Sequence, residues 1–198
     1  MKILALSDVH GDKHLIKEMA EKAALNKVDL VILAGDFVGH DGSIEGLVGP
    51  FKAKGIEVGV IPGNHEGMAE VGFLVEKYGV KNMHGYVFKK GDVGIFGCGY
   101  GNIGLHQIDE ASVFKTLKKG NDYLKDVKKR IMITHMHPED SILGIGMFPG
   151  SEGARKAIEQ FQPDIHLCGH VHETDGIEEV IGKTRVVNVG RKGKIIEI

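Results

Sequence analysis

The chain has 198 residues, 42% hydrophobic and 26% charged, with a formal net charge of -2. Such a length and balance suit a single globular domain over residues 1–198 with a sizeable core. The near-neutral charge argues against nucleic acid or an anionic membrane as partner, and no apolar run approaches the length of a membrane span.

Cys98 and Cys168 lie in apolar runs and form no disulfide framework, which favours a reducing cytoplasm. The apolar start at residues 3–6 is too short for the core of a signal peptide. Against this ordinary background, 29 glycines and 11 histidines ask for an explanation. They promise many turns with special backbone angles, and many metal ligands or proton carriers.

Residues 2–7 read as a buried strand ending in Asp8-Val9-His10-Gly11-Asp12, with a helix over 13–25. On an extended backbone Asp8 and His10 point the same way and can grip one ion. A second strand, 29–34, ends in Gly35-Asp36. A glycine-rich loop over 37–42 then leads to a helix over 43–54 capped by Ser43. The third strand, 56–61, is broken by Pro62 and runs into Gly63-Asn64-His65-Glu66 before a helix over 68–78. This alternation predicts a parallel sheet with its chemistry at the carboxyl ends of the strands.

The middle changes character. Residues 81–83, 86–90 and 93–98 read as short strands in antiparallel pairing. The loop Gly99-Tyr100-Gly101-Asn102 opens into a helical stretch over 109–129, broken in two by Gly120-Asn121. A strand over 130–134 ends in His135-Met136-His137-Pro138. The aperiodic, glycine-rich stretch 141–150 reads as a flexible loop or lid. A helix over 151–161, capped by Ser151, is followed by a strand over 164–168 that ends in Gly169-His170-Val171-His172. The tail, 176–181, 184–189 and 194–198, reads as a closing antiparallel meander.

Five strands thus stop in Asp8/His10, Asp36, Asn64/His65, His135 and His170/His172. Carboxylate, amide and imidazole suit Mn, Fe, Zn, Ni or Co. They are too many for one tetrahedral zinc, but suit two metals about 3.5–4 Å apart. Asp36, alone at its strand end, is the natural bridge. His135 has a rival in His137.

The ordered motifs Asp8-x-His10, Gly35-Asp36, Gly63-Asn64-His65-Glu66, Thr134-His135 and Gly169-His170-x-His172 resemble the calcineurin-like metallophosphoesterase superfamily. The resemblance implies an α/β fold, a four-layer α/β/β/α sandwich with two mixed β-sheets. It also implies a binuclear centre, one divalent ion on Asp8, His10, Asp36 and His172 and the other on Asp36, Asn64, His135 and His170. Manganese is the first expectation for both ions. His65 and Asp36 would be the catalytic residues, with His65 acting at the leaving oxygen of a phosphoester attacked by a metal-bridging hydroxide. Two divalent ions less Asp8, Asp36 and hydroxide leave about one positive charge, which suits a phosphodiester anion.

Around this centre His40, Tyr100, Asn102, His106 and His137 are candidate substrate contacts, whereas His14, His84 and His166 read as structural or solvent-facing. Arg191, after Asn188-Val189-Gly190, reads as solvated before it reads as a phosphate contact. Protein phosphatases resembling this pattern carry Asp-Arg-Gly where this chain has Gly39-His40-Asp41, so Asp41 or Glu66 would have to orient His65. That departure, with the small size, favours small or nucleotide-type phosphodiesters over phosphoproteins. The alternatives are a phosphomonoesterase and a non-catalytic metal-binding scaffold of the same fold. A homo-oligomer is left open.

Overall fold

The structure, a computed structural model, describes residues 1–39, 42–146 and 148–198. His40 and Asp41, a candidate substrate contact and a candidate orienter of His65, lie outside the described residues. No helix among the described residues is long and apolar enough to cross a membrane.

Two sheets form the centre. The first has the order β11-β1-β2-β3-β4, from β1 (Lys2–Leu6), β2 (Leu30–Ala34), β3 (Glu57–Ile61), β4 (Lys81–Asn82) and β11 (Lys194–Glu197). Strands β1 to β4 run parallel and β11 is antiparallel to β1. The second sheet has the order β5-β6-β7-β8-β10-β9. Its strands are β5 (Val87–Lys90), β6 (Val93–Cys98), β7 (Lys129–Thr134), β8 (Ile165–Cys168), β9 (Glu178–Ile181) and β10 (Thr184–Asn188). Here the four inner strands are parallel, and β5 and β9 are antiparallel edges.

Side-chain alternation explains the layering. Ile3 and Ala5 of β1 and Leu30, Ile32 and Ala34 of β2 face Ile131 and Ile133 of β7 and Leu167 of β8, giving a core between the sheets. Leu4, Leu6, Val31 and Leu33 point the other way. They pack against Ile16 and Ala20 of α1 (Lys13–Leu25), Phe51 of α2 (Gly49–Ala53) and Leu74 of α3 (Met68–Tyr78). On the far side, Phe96, Met132 and Val186 meet Leu117 of α4 (Glu110–Asp122) and Ala154 and Ile158 of α5 (Glu152–Phe161). The order helices, sheet, sheet, helices is the expected four-layer α/β/β/α sandwich. Strands with both faces covered read as apolar runs, as these do.

Four local expectations need correcting. The helix expected over 43–54 is only α2, because Gly46 takes a left-handed φ of 80° and Pro50 enters the helix at its first turn. The helix expected over 109–129 is α4, which runs through Gly120-Asn121 and stops at Asp122. Strand β4 does not join an antiparallel set with β5 and β6; it lies parallel to β3 in the other sheet. The tail is a meander only in its first hairpin: β9 and β10 pair antiparallel, but β10 also lies parallel to β8 and β11 crosses to β1. The cap at Ser151 is as expected: its hydroxyl accepts the N–H of Ala154.

Candidate metal centre

The parallel strands of both sheets finish on one side of the molecule, and their last residues turn sharply. Asp8, His10, Asp36 and His170 all have left-handed φ, between 48° and 72°. Non-glycine residues occupy that region at a cost of about 1–3 kcal/mol each, usually where function demands it. Here the neighbouring chain holds them. The β1–β2 ladder continues past the strands, Asp8 N–H donating to Gly35 O (3.1 Å) and His10 N–H to Asp36 O (2.9 Å). Asp8 and His10 therefore meet on one side because of these turns, not by the alternation of an extended strand.

Three groups of donor atoms result, each with its atoms within 4.8 Å of one another: Asp8/His10/His172, His10/Asp36/His65 and Asp36/His135/His170. Asn64 adds its amide, with Oδ1 3.0 Å from His135 Nε2, which lies 3.2 Å from Asp36 Oδ2. All seven expected ligands are thus brought together. His65 joins them: its Nε2 is 3.8 Å from Asp36 Oδ2 and its ring is 5.0 Å from that of His10.

Neighbouring groups set the ring nitrogens. Because the Ala34 carbonyl can only accept, His135 Nδ1 carries the hydrogen in their 3.0 Å contact and Nε2 is turned to the donor cluster. Asp36 Oδ1 accepts the His65 N–H, and Asp8 Oδ2 accepts the His170 N–H. The other Asp8 oxygen and His170 Nε2 are buried without a hydrogen-bond partner. Two orphaned donors inside a carboxylate–imidazole–amide set fit divalent cations.

Electrostatics agree. Burial disfavours charge on Asp36, yet His135 beside it holds the carboxyl far below its usual range. Burial likewise opposes charge on His135, but Asp36 and Asp8 outweigh it and bring the imidazole up to about 10. Asp8 is held low against its burial by His172, whose Nε2 lies 3.4 Å from Asp8 Oδ1. Burial brings His170 down to about 4 and lowers His10, leaving both neutral and ready to ligate.

Glycine makes the crowding feasible. A Cβ on Gly63 would lie 2.1 Å from Asp36 Oδ1 and 2.4 Å from Asp36 N, and one on Gly35 would lie 2.4 Å from His135 Nδ1. The glycine before one candidate ligand leaves room for another's backbone or side chain.

Glu66 does not orient His65. Its Oε1 accepts the N–H groups of Gly63 (2.8 Å) and Phe37 (3.4 Å), and its Oε2 has no hydrogen-bond partner. It staples the loop after β2 to the loop after β3, with burial and Asp36 raising its carboxyl to about 7.

The remaining substrate candidates divide. Tyr100 and His106 stack on one another beside the Asn64 loop; Tyr100 N–H donates to Pro62 O and His106 N–H to Asn64 O. Asn102 is committed elsewhere, its amide donating to Gly150 O (2.7 Å) and tying two loops together. His137 belongs to none of the donor groups. It is fully buried, with Nε2 3.1 Å from Phe148 O. Of the other histidines, His14 is exposed, His84 accepts Gly99 N–H, and His166 is buried against Thr134 Oγ1. Arg191 is paired with Asp12 at 2.7 Å.

The sequence did not single out Phe148, whose ring packs edge-on to His170 at 5.3 Å. Nor did it single out Glu110, which accepts from Ser151 Oγ and Gly153 N and so anchors α5. Phe148 lies in an aperiodic loop with no sequence signal. Glu110, in the first turn of α4, looks like any exposed helical carboxylate.

A two-sheet sandwich with clustered Asp, His and Asn donors at its strand ends defines a metallophosphoesterase. The chain belongs to the calcineurin-like phosphoesterase family, whose model matches residues 1–174. Comparison with curated proteins gives no match. Among solved structures, TT1561 of Thermus thermophilus superposes with a TM-score of 0.79 at 17% identity, over 98% of this chain and 97% of that one. A dimetal phosphatase from Danio rerio gives 0.64 at 12% identity, over 96% and 87%. YfcE, a phosphoesterase from E. coli, gives 0.53 at 14% identity, over 98% and 81%. At these identities the likeness is one of fold.

Proposed function

We propose that the chain is a phosphodiesterase of the metal-dependent type, acting on small or nucleotide-type diesters with two divalent cations, manganese foremost. Asp8, His10, Asp36 and His172 would hold one ion, and Asp36, Asn64, His135 and His170 the other. The ions would supply Lewis acidity toward the phosphoryl oxygens and would make water acidic enough to ionise near neutral pH. The observation that carries this reading is Asp36, whose two oxygens reach His135, His65 and the loop after β3 at once.

The chain's own residues supply the rest. Asn64, a neutral donor, adds no negative charge, so the site keeps a net attraction for an anionic ester. His65, with 36% of its side chain exposed beside Asp36, would hand a proton to the leaving oxygen. Arg191, tied to Asp12, supplies no free guanidinium of the kind that clamps a phosphate monoester dianion, which favours diesters.

The test uses the full chain stripped with EDTA and reloaded with manganese. Bis(p-nitrophenyl) phosphate should be hydrolysed faster than p-nitrophenyl phosphate, without a product burst, and metal analysis should give two ions per chain. Inactivity toward both esters with Mn, Ni, Fe, Co and Zn would reject the enzyme reading in favour of a metal-binding scaffold.

A further inference from the structure

A groove of about 670 Å³ runs between α4 and the segment that joins β4 to β5, apart from the strand-end donors. That size is within the range of small-molecule sites. Lys115 and Lys119 line one wall. One helical turn apart on α4, their side chains emerge about 6 Å from each other. Nearby lysines have carboxylate partners: Lys118 and Lys125 with Asp122, Lys89 with Asp126, Lys128 with Asp92. Among the described residues Lys115 and Lys119 have no ion pair or side-chain hydrogen bond, and the groove contains no carboxylate.

Tyr86 and Tyr123 line the same groove, 64% and 61% exposed. Neither ring has an aromatic or cationic partner among the described residues. His84 completes the lining. Its Nδ1 accepts the Gly99 N–H at 2.9 Å, which leaves Nε2 as the hydrogen-bond donor of the neutral ring. Uncompensated cations one turn apart answer phosphate oxygens, and open aromatic faces answer a planar ring.

We propose that this groove binds a phosphate-bearing aromatic ligand of the nucleoside diphosphate class, with its ring on the tyrosines and its phosphates between Lys115 and Lys119. The site is separate from the donor cluster. It adjoins that cluster through Gly99 and Tyr100, because the His84 ring meets the Tyr100 ring edge-on at 5.0 Å.

The experiment titrates the EDTA-treated full chain with a fluorescent N-methylanthraniloyl-ADP, so that metal-mediated binding at the strand ends is removed. Saturable binding is expected, weakened at least tenfold in Lys115→Ala/Lys119→Ala and at least tenfold in Tyr86→Ala/Tyr123→Ala. Unlabelled ADP should compete better than pyrophosphate or adenosine. Hydrogen exchange on the native chain should show ADP protecting residues 112–123, which reads the site without any substitution. Absence of saturable binding, binding that either double variant leaves unchanged, protection elsewhere, or equal competition by pyrophosphate would each overturn the proposal.

Discussion

His135 follows β7 of the six-stranded sheet, yet its Nδ1 hydrogen bonds the carbonyl of Ala34 at the end of β2 in the other sheet, 3.0 Å away. One ring therefore joins the sheets and aims its second nitrogen at Asp36. In the metal-free protein, His135→Ala should cost about 2–4 kcal/mol, from a buried carbonyl left unpaired and a cavity. It should also lower metal content. Thermal unfolding of the stripped variant and elemental analysis of the loaded one check the two parts separately.

Protons and cations should compete for this ring. Because Asp36 raises the unliganded imidazole to about 10, an ion taken up on His135 near neutral pH would have to displace a proton. Manganese affinity should rise about tenfold per pH unit between roughly pH 6 and 8. Titration at several pH values measures this, and a flat profile would exclude His135 as a ligand.

His65 can be distinguished as proton donor or ligand. His65→Asn should lower kcat by about 10²–10⁴ for an alkyl leaving group and much less for nitrophenolate, with metal content unchanged. Loss of an ion in that variant would instead assign the ring to the coordination shell, as its place with His10 and Asp36 allows.

Crowding at the site predicts a severe effect from one methyl group. In Gly63→Ala the new carbon meets Asp36 N, a backbone atom that cannot rotate away. The loops after β2 and β3 must separate, at a cost of about 1–3 kcal/mol, and activity should fall at least 100-fold. Denaturant unfolding and diester hydrolysis are the measurements.

Away from the site, Glu178 receives both arms of the Arg185 fork, at 2.7 and 3.0 Å, and Lys194 Nζ at 2.5 Å. These cations bring its carboxyl down to about 2. The unfolded chain binds this proton more readily, so the pair's contribution is complete above the ordinary glutamate value and is lost as pH falls through about 2. Glu178→Gln should cost about 1–2 kcal/mol at neutral pH, after allowing for screening of a part-exposed pair. The difference from the unsubstituted chain should shrink from about pH 5 downward in chemical denaturation.

Most of the donor set was legible because an apolar run that stops in a polar residue beside glycine marks a strand end, and strand ends of parallel sheets converge. Strand partners were less legible. The run Lys194–Glu197 reads correctly as a strand, but nothing local tells it to leave β10 for β1; that choice is made by the buried Ile196 in the core between the sheets. The short α2 was obscured by apolar residues at helical spacing, over which Gly46 and Pro50 prevailed. Glu66 was visible as part of a motif, but its role depends on Phe37 and Gly63 being neighbours in space.

The proposed ligand set is split between the sheets: Asp8, His10, Asp36 and Asn64 follow strands of one, and His135, His170 and His172 follow strands of the other. A nascent chain released before β8 would hold only part of the chelating cage. On the proposed assignment, capture of ions would double as an inspection of assembly, and hydrolytic power would arrive only once both halves of the polypeptide had docked.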